Sequence, residues 1–435
     1  MSTPIWNKPG TEVDAELMRF TAGDDVVLDR ELFAHDIDAS RAHARGLARI
    51  GILDVAECAE LVRELDALLA AFRAGDFVLD ARFEDGHSAI EQWLTDRLGD
   101  LGRKIHTGRS RNDQVLVAMR LWLKQQLHSL QTGCTDVAAL ALERAGNETA
   151  HPMPGYTHLQ RAMVSSTALW WAALAESFID NAQIAHAALA LIDANPLGTA
   201  SGYGVNLALD RDGVADELGF GRQLLNPIAA QLSRGKYEWQ ALAALAQALN
   251  DVRRFAWDLS LFASAEFGFI TLPNAFTTGS SLMPNKRNPD VIELLRASPG
   301  VVHGAMTELQ SLSSLPLGYH RDMQAGKAPL LRAFAHGLDA LAIARRVFAA
   351  ISWNPDAMRV AIDAGMYATD RAIELARSGV PFREAYQRAA SVSAGEAERT
   401  PQASLAARIS LGAPGNIGLD RLQARLRTIL NDAVG

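Results

Sequence analysis

Cysteine is scarce in this chain of 435 residues, which contains only Cys58 and Cys134. A single disulfide could not stabilise so long a chain. Neither cysteine has a histidine or a second cysteine at the spacing of metal ligands. The sequence therefore predicts neither a disulfide framework nor a metal site. Cysteine usage of this kind is typical of a reducing cytosol.

Positive charge is also in deficit, because 42 Lys and Arg face 50 Asp and Glu and give a formal net charge of -8. This balance argues against a nucleic-acid or membrane partner bound by a positive field, so any anion site must be local. The longest uncharged apolar stretch, around residues 162–175, is too short for a membrane span, and the first 14 residues lack an apolar signal segment. We expect a soluble, cytoplasmic protein.

Proline is absent between Pro9 and Pro152, and strict alternation of apolar and polar residues is hard to find anywhere. A sheet-rich protein would need turn residues within such a stretch. Residues 56–72, 115–130 and 237–262 instead carry apolar residues at i, i+3, i+4 and i+7, the spacing of an amphipathic helix. We therefore predict an all-α fold.

Glycine and proline cluster in short segments that predict the loops between long helices. Together with a break near residues 102–108, they predict an N-terminal helical domain over 1–107, a long central helical bundle over 108–354 and a C-terminal helical domain over 355–435. The predicted loops are 151–155, 196–204, 272–289, 315–326 and 353–355.

Two parts of the predicted bundle are apolar around most of the helix circumference, namely residues 242–263 and the surroundings of Trp170 and Trp171. An ordinary surface helix has an apolar stripe on one side only. Helices that are apolar all round lie inside a bundle or between subunits, so we expect these helices to be covered.

Residues able to do chemistry are concentrated in four segments. In residues 106–113, two arginines, two hydroxyls and an asparagine precede a predicted helix, which favours a carboxylate or phosphate site; an ordinary capped helix start is the alternative. In residues 153–160, His158 precedes a long apolar helix whose dipole would favour the neutral ring and a role in proton transfer. A capping or core-edge histidine is the alternative there.

The third segment, residues 279–290 with Glu293, packs glycine, two serines, two cations, an asparagine and two prolines, a composition suited to a lid that supplies donors to an anion. The fourth, residues 319–327, could direct the tips of Tyr319, Gln324 and Lys327 into one cleft, or form a solvated connector. The sequence has no phosphate-binding loop, no dinucleotide fingerprint and no His-Glu-x-x-His, so we expect cofactor-free chemistry.

In this order the four segments resemble the fumarase/aspartase superfamily, whose members cleave C–N or C–O bonds in succinyl compounds and release fumarate. The stretch GSSLMPNKRNPD is similar to the superfamily's shared loop, while HTGRSRNDQV, MPGYTHLQRA and YHRDMQAGK narrow the resemblance to the argininosuccinate lyase family. It runs from about residue 20 to residue 383. The loop alone would also suit adenylosuccinate lyase. The resemblance implies an all-α, three-domain chain in a homotetramer that shares its central bundle, with each active site built from three chains.

The resemblance also implies site residues and a reaction, the reversible elimination of argininosuccinate to arginine and fumarate in arginine biosynthesis. It implies that His158 is the general acid, Ser280 the general base and Glu293 the carboxylate that orients the histidine. A serine is a poor base unless its alkoxide is stabilised, and Lys286 is the obvious contributor. Substrate-binding positions implied by the resemblance are Ser110, Arg111, Asn112, Thr157, Lys286, Asn288, Tyr319, Gln324 and Lys327.

The sequence departs from the family at several points. Asp25 stands where we expect a substrate-binding serine, and residues 7–10 replace the usual Gly-Gly-Arg-Phe. In residues 231–238 the Ser-x-Arg pattern is disturbed, which makes Arg234 or Lys236 the candidate substitute cation. An inert bundle that keeps only the fold is the alternative from outside enzymes. Such a bundle would have no physical need for Ser280 and His158.

Overall fold

The computed structural model describes residues 14–148, 150–390 and 399–432. These residues are mostly helical, which confirms the predicted helical character of the chain. The segment at residues 7–10 lies outside them. The helices are α1 (Ala15–Ala22), α2 (Asp25–Leu28), α3 (Phe33–Arg49), α4 (Val55–Ala74), α5 (Gly86–Leu98), α6 (Asp100–Arg103), α7 (Arg111–Asn147), α8 (Thr167–Ile192), α9 (Arg211–Glu217), α10 (Pro227–Leu232), α11 (Lys236–Phe262), α12 (Asp290–Ala297), α13 (Pro299–Leu312), α14 (Lys327–Ala350), α15 (Pro355–Val360), α16 (Ala368–Arg377), α17 (Phe382–Ala390), α18 (Pro401–Ala407) and α19 (Leu419–Asp432).

Short strands accompany the helices without changing the helical character of the fold. They are β1 (Pro152–Thr157), β2 (Gln160–Ser166), β3 (Ala194–Asn195), β4 (Arg222–Gln223), β5 (Ile270–Thr271), β6 (Thr278–Gly279), β7 (Arg287–Asn288) and β8 (Ser352–Trp353). Antiparallel pairs form between β1 and β2, β5 and β8, and β6 and β7, and a parallel pair forms between β3 and β4. The loop predicted at residues 151–155 is wrong, because strand β1 runs through it.

The three helices predicted from apolar spacing are confirmed as α4, part of α7, and α11. Helix α4 shows why the local sequence suffices. Its N-cap Asp54 accepts a hydrogen bond from the backbone N–H of Glu57, whose side chain accepts one from Asp54 N–H, and Gly75 ends the helix at φ 81°. These are the usual start and stop devices of a helix.

The chain divides into two compact units, each assembled from three segments. The first comprises Met1–Ser129, Ala185–Leu245 and Val301–Ala335. Its larger core joins helices α3, α4 and α5, and side chains spaced three or four residues apart on each helix are buried there together. Fully or almost fully buried members of this core are Phe33, Ile37, Leu47, Leu61, Leu65, Leu68, Ile90 and Leu94.

The second unit comprises Leu130–Ile184, Ala246–Gly300 and His336–Gly435. It contains the β1–β2 hairpin, whose buried Val164 packs in one cluster with Met366 and Leu405. Trp171 is fully buried beside Trp170, with ring centres 4.9 Å apart. The three-domain division predicted from the sequence stays a prediction. Within the described ranges, no helix is long and apolar enough to cross a membrane.

Candidate active site

A cavity of about 230 Å³ opens in the first unit, and every residue that lines it belongs to that unit. The predicted site residues Arg111, Asn112, Tyr319, Gln324 and Lys327 are among them. The structure therefore brings together residues from the first and fourth sequence segments. A volume somewhat below the roughly 300–1,000 Å³ of drug-sized sites suits a small metabolite or part of one.

Arg111, the first residue of α7, is held between two carboxylates. Its guanidinium lies 3.1 Å from Glu84 and donates to Asp85. Burial opposes ionisation of Asp85, but the charges of His87 and Arg111 outweigh it and lower the pKa of Asp85 to about 2. The arginine is therefore fixed by charge-assisted hydrogen bonds before any ligand binds.

Lys327, at the start of α14, is also held between two carboxylates. Its Nζ donates to Asp25 at 2.6 Å and to Asp29 at 2.5 Å, and its side chain is only 5% exposed. Burial lowers the pKa of this ammonium, yet attraction to Asp29 and Asp25 outweighs burial and raises it. Burial raises the pKa of Asp25 more than the lysine lowers it. The unexpected Asp25 thus neutralises a predicted substrate-binding cation.

His87 lies in the cavity wall with 8% of its surface exposed. Its Nδ1 is 2.5 Å from a carboxylate oxygen of buried Asp36, and the two groups form an ion pair. Burial lowers the pKa of the ring, but attraction to Asp36, with smaller contributions from Asp85 and Asp29, outweighs burial and raises the pKa to about 9. The ring is therefore cationic at neutral pH.

The start of α7 is tied to a distant loop by Asp113. This buried carboxylate accepts hydrogen bonds from the backbone N–H groups of Ser110, Gly198 and Ala200 at 2.8–3.0 Å. Burial raises the pKa of Asp113, although these three hydrogen bonds act to lower it. Ser110 itself accepts a hydrogen bond from Asn112 N–H at 3.3 Å and is not part of the cavity wall. The predicted position at a helix start is confirmed for this segment.

Gln324 is used within the chain. Its amide nitrogen donates to the carbonyls of Thr21 and Ala22 at 3.0 and 3.2 Å, and its oxygen accepts from Arg321 at 3.0 Å. Tyr319 remains 36% exposed. Its ring centre lies 5.0 Å from the guanidinium carbon of Arg234. The fourth segment thus contributes one side chain that is committed to the fold and one that is open to a ligand.

The second unit holds the other predicted site residues. Thr157 ends β1, and His158 and Leu159 form the two-residue turn of the hairpin with φ of 53° and 57°. The prediction that His158 begins a helix is wrong, because α8 starts only at Thr167. The predicted effect of a helix dipole on this histidine is therefore wrong as well. Its side chain is exposed at the hairpin tip.

Ser280 follows strand β6, and Asn288 lies in the strand β7 that pairs with it. The Ser280 Oγ accepts hydrogen bonds from the backbone N–H groups of Leu282 and Met283 at 3.3 and 3.1 Å. Lys286 is exposed in the connecting loop. The expected lid is therefore the turn of a short hairpin, with two donors already directed at the serine oxygen.

Glu293 lies on α12, where its carboxylate is 3.6 Å from Arg296 and its side chain is 56% exposed. Among the described residues of this protomer, no hydrogen bond or ion pair joins Glu293 to His158. The orienting role of Glu293 stays a prediction.

Sequence reasoning missed the buried acids that surround the cavity cations, above all Asp29 and Asp36. Asp29 accepts a hydrogen bond from Gly86 N–H at 2.8 Å in addition to its contact with Lys327. A signal was present for Asp36, which interrupts the apolar stripe formed on α3 by residues such as Phe33 and Ile37. A carboxylate on a buried helix face requires a partner.

The chain has clear relatives. A family model described as a lyase matches residues 11–304. Argininosuccinate lyases of Stenotrophomonas maltophilia (strain R551-3) and Xanthomonas axonopodis pv. citri (strain 306) are each 59% identical to it over 431 residues, which is 99% of this chain and 100% of each relative.

Solved structures with lower identity share the fold. A crystal structure of EDDS lyase in complex with formate has a TM-score of 0.79 at 23% identity and covers 98% of this chain and 92% of that one. A class II fumarase from Schistosoma mansoni has a TM-score of 0.71 at 15% identity, with coverage of 85% and 90%. At these identities the likeness concerns the helical fold alone.

Proposed function

The chain belongs to the argininosuccinate lyases of the lyase family, and we propose how its own residues carry out the elimination of argininosuccinate to arginine and fumarate. The observation that carries this function is 59% identity to enzymes of that name over 99% of the chain. The reaction removes a proton from a carbon next to a carboxylate and breaks the bond from the neighbouring carbon to a guanidinium nitrogen. The intermediate is a carbanion whose charge is delocalised into that carboxylate.

Ser280 is the proposed general base. Its support is the pair of backbone N–H groups from Leu282 and Met283 that already donate to Oγ. Donors fixed around an oxygen favour its negative form, which a serine base requires. The cation of Lys286 adds to this effect when the loop meets the substrate. Lys286 and Asn288 are also the proposed donors to the carboxylate on which the carbanion charge accumulates.

His158 is the proposed general acid, giving its proton to the departing guanidinium nitrogen. Its position at the tip of the β1–β2 hairpin supports this role, because a tip can reach into a site formed by another subunit. Glu293 is the proposed carboxylate that holds the protonated ring. In that arrangement Glu293 exchanges its weak contact with Arg296 for one with the histidine.

The remaining predicted binding residues are proposed to hold the rest of the substrate. Their support is the cavity of the first unit, where five of them meet. Carboxylates line this cavity beside the cations, as a ligand that carries both charges requires. The proposed set is Ser110, Arg111, Asn112, Thr157, Tyr319, Gln324 and Lys327.

A homotetramer with shared active sites is the proposed assembly. Large apolar side chains remain exposed on the protomer, including Trp257 at 52%, Leu294 at 71% and Leu282 at 83%. Groups of exposed apolar side chains mark surfaces that a partner covers. A closed symmetric oligomer of identical chains covers such surfaces without leaving an open edge. We propose a cytoplasmic enzyme that uses no cofactor.

A spectrophotometric assay for fumarate tests the function directly. Purified protein should release fumarate from argininosuccinate and should release none from adenylosuccinate at the same concentration. Heat-denatured protein is the control for spontaneous decay. Release of fumarate from adenylosuccinate alone would identify the chain as an adenylosuccinate lyase. Release from neither substrate would favour the alternative of a helical bundle without activity.

A further inference from the structure

Four of the five cations in the wall of the cavity already have a carboxylate partner. Lys327 lies between Asp25 and Asp29, and Arg111 contacts Glu84 and Asp85. Arg321 lies 3.6 Å from Glu84, and His87 lies 2.5 Å from Asp36. Opposite charges held this close largely cancel each other for an incoming ligand. Most of the positive charge of the cavity wall is therefore neutralised by carboxylates of the protein itself.

Arg234 is the exception. Across the described part of the chain, no carboxylate lies within ion-pair distance of its guanidinium, and its buried Nη1 has no hydrogen-bond partner. The guanidinium carbon lies 5.0 Å from the ring centre of Tyr319, a cation–π contact that leaves the N–H edges free. A half-buried guanidinium without an acceptor is costly to maintain unless a ligand supplies one.

The charges around Arg234 suit one end of an amino acid. An α-amino acid end carries an ammonium and a carboxylate on the same carbon. The same wall contains Glu238, which is 7% exposed and whose buried Oε2 lacks a partner within the described ranges. The carboxylate-rich wall can accept from the ammonium, while Arg234 is the one cation of this wall without a carboxylate partner among the described residues. A guanidinium binds a carboxylate with two parallel hydrogen bonds.

We propose that Arg234 binds the α-carboxylate of the arginine part of the substrate and thereby sets the specificity of the cavity for an amino-acid end. This inference rests on the proposed function for the identity of the substrate. The structure also distinguishes Arg234 from Lys236, the other candidate for the substitute cation, because Lys236 is exposed and does not line the cavity.

A binding comparison tests the assignment without relying on turnover. Agmatine is arginine without its carboxylate, so calorimetry with arginine and with agmatine isolates the carboxylate contact. The wild type should bind arginine roughly 10- to 100-fold more tightly than agmatine, as expected for a charge-assisted pair. Arg234→Gln should reduce this preference to within about 3-fold, whereas Lys236→Gln should keep it.

Kinetics of the reverse reaction provide the second test. Arg234→Gln should raise KM for arginine roughly 10- to 100-fold, leave KM for fumarate near the wild-type value and retain most of kcat. Arg234→Lys, which keeps the charge and loses the paired geometry, should give an intermediate KM. If Arg234→Gln does not fold, Arg234→Lys and the preference of the wild type for arginine carry the test.

The outcomes separate the two proposals. A wild type that turns over argininosuccinate, with an unchanged preference for arginine in Arg234→Gln, would overturn the role of Arg234 alone. A rise in KM for fumarate instead of arginine would also overturn it, because the carboxylate would then belong to the succinyl part. A wild type without turnover contradicts the proposed function, and the calorimetry still decides whether Arg234 recognises a carboxylate.

Discussion

Raising the pH through the titration of His87 should destabilise the protein. The ring is almost fully buried beside Asp36, and its pKa in the folded chain is raised from 6.5 to about 9, because attraction to the surrounding carboxylates, above all Asp36, outweighs the effect of burial. A histidine whose folded pKa lies above its unfolded value stabilises the fold fully below about pH 6.5. This contribution is lost as the pH rises through about 9.

The size of the effect follows from the shift. Each pKa unit corresponds to 1.36 kcal/mol, so a rise from 6.5 to about 9 corresponds to about 3 kcal/mol of unfolding free energy. Other groups contribute in the same pH range, so the effect of His87 is measured as the difference between the wild type and a variant without it. Burial raises the pKa of both thiols, Cys58 and Cys134, and their ionisation in the unfolded chain also lowers stability above about pH 8.5. The pKa values of four other histidines are lowered instead, chiefly by burial: His35, His43, His106 and His128.

Urea unfolding at about pH 6, 7.5 and 9.5 measures this loss, provided that the urea slope does not change with pH. Removing His87 alone would leave Asp36 buried without a partner, so the test variant is the double substitution His87→Asn, Asp36→Asn. Between about pH 7.5 and 9.5 its unfolding free energy should fall by roughly 2 kcal/mol less than that of the wild type, because only the wild type loses the His87 proton. His35→Asn should follow the wild type over the same interval. Equal losses in the wild type and the double variant would refute the role assigned to His87.

Three further predictions concern the proposed site and its assembly. Ser280→Ala and His158→Asn should each lower kcat by roughly 10²–10⁴ with an unchanged circular dichroism spectrum, and near-native kcat in either variant would remove that residue from proton transfer. If the two residues of a site come from different chains, equal amounts of these two variants that are unfolded and refolded together should regain activity toward about one quarter of the wild-type value. An inactive mixture, with refolding controls that regain activity, would place both residues in one chain. Asp25→Ser should leave the unfolding free energy within about 1 kcal/mol of the wild type, because Lys327 keeps Asp29. The double change Asp25→Asn, Asp29→Asn should cost roughly 3–5 kcal/mol by leaving the lysine unpaired, and equal effects of the single and double changes in urea titrations would contradict this.

The helices could be predicted because their signals are local. In α4 the cap at Asp54 and the stop at Gly75 lie within the same short stretch as the buried leucines between them. The helix α11 was likewise visible from apolar spacing alone. Propensity, capping and burial agree at these positions, so no knowledge of the rest of the chain was needed.

The β1–β2 hairpin could not be predicted in the same way. Its two-residue turn requires positive φ at both central positions, for which Asn-Gly is the usual sequence. His158 and Leu159 occupy these positions instead, at a cost of roughly 1–2 kcal/mol for each residue. The usual hairpin signal is therefore missing, and the preceding Pro154 and Gly155 resemble an ordinary loop.

The ion pairs of the cavity were hidden for a different reason. The sequence motifs identified Arg111 and Lys327, but the carboxylates that hold Lys327 lie about 300 residues earlier in the chain. Such contacts depend on the way that the segments are brought together in space, and no local pattern encodes them. Motifs can therefore identify a cation without showing whether its charge is free for a ligand.

The exposure of the proposed proton-transfer residues has a chemical consequence. His158 is exposed and Ser280 is half-buried, both in hairpin turns of the second unit. Water around a serine competes for its proton and screens the charges that would stabilise its alkoxide. Two backbone donors are already fixed on the Ser280 Oγ, so the missing element is the exclusion of water. Covering these turns with neighbouring subunits supplies it, and this is why the proposed chemistry requires the proposed assembly.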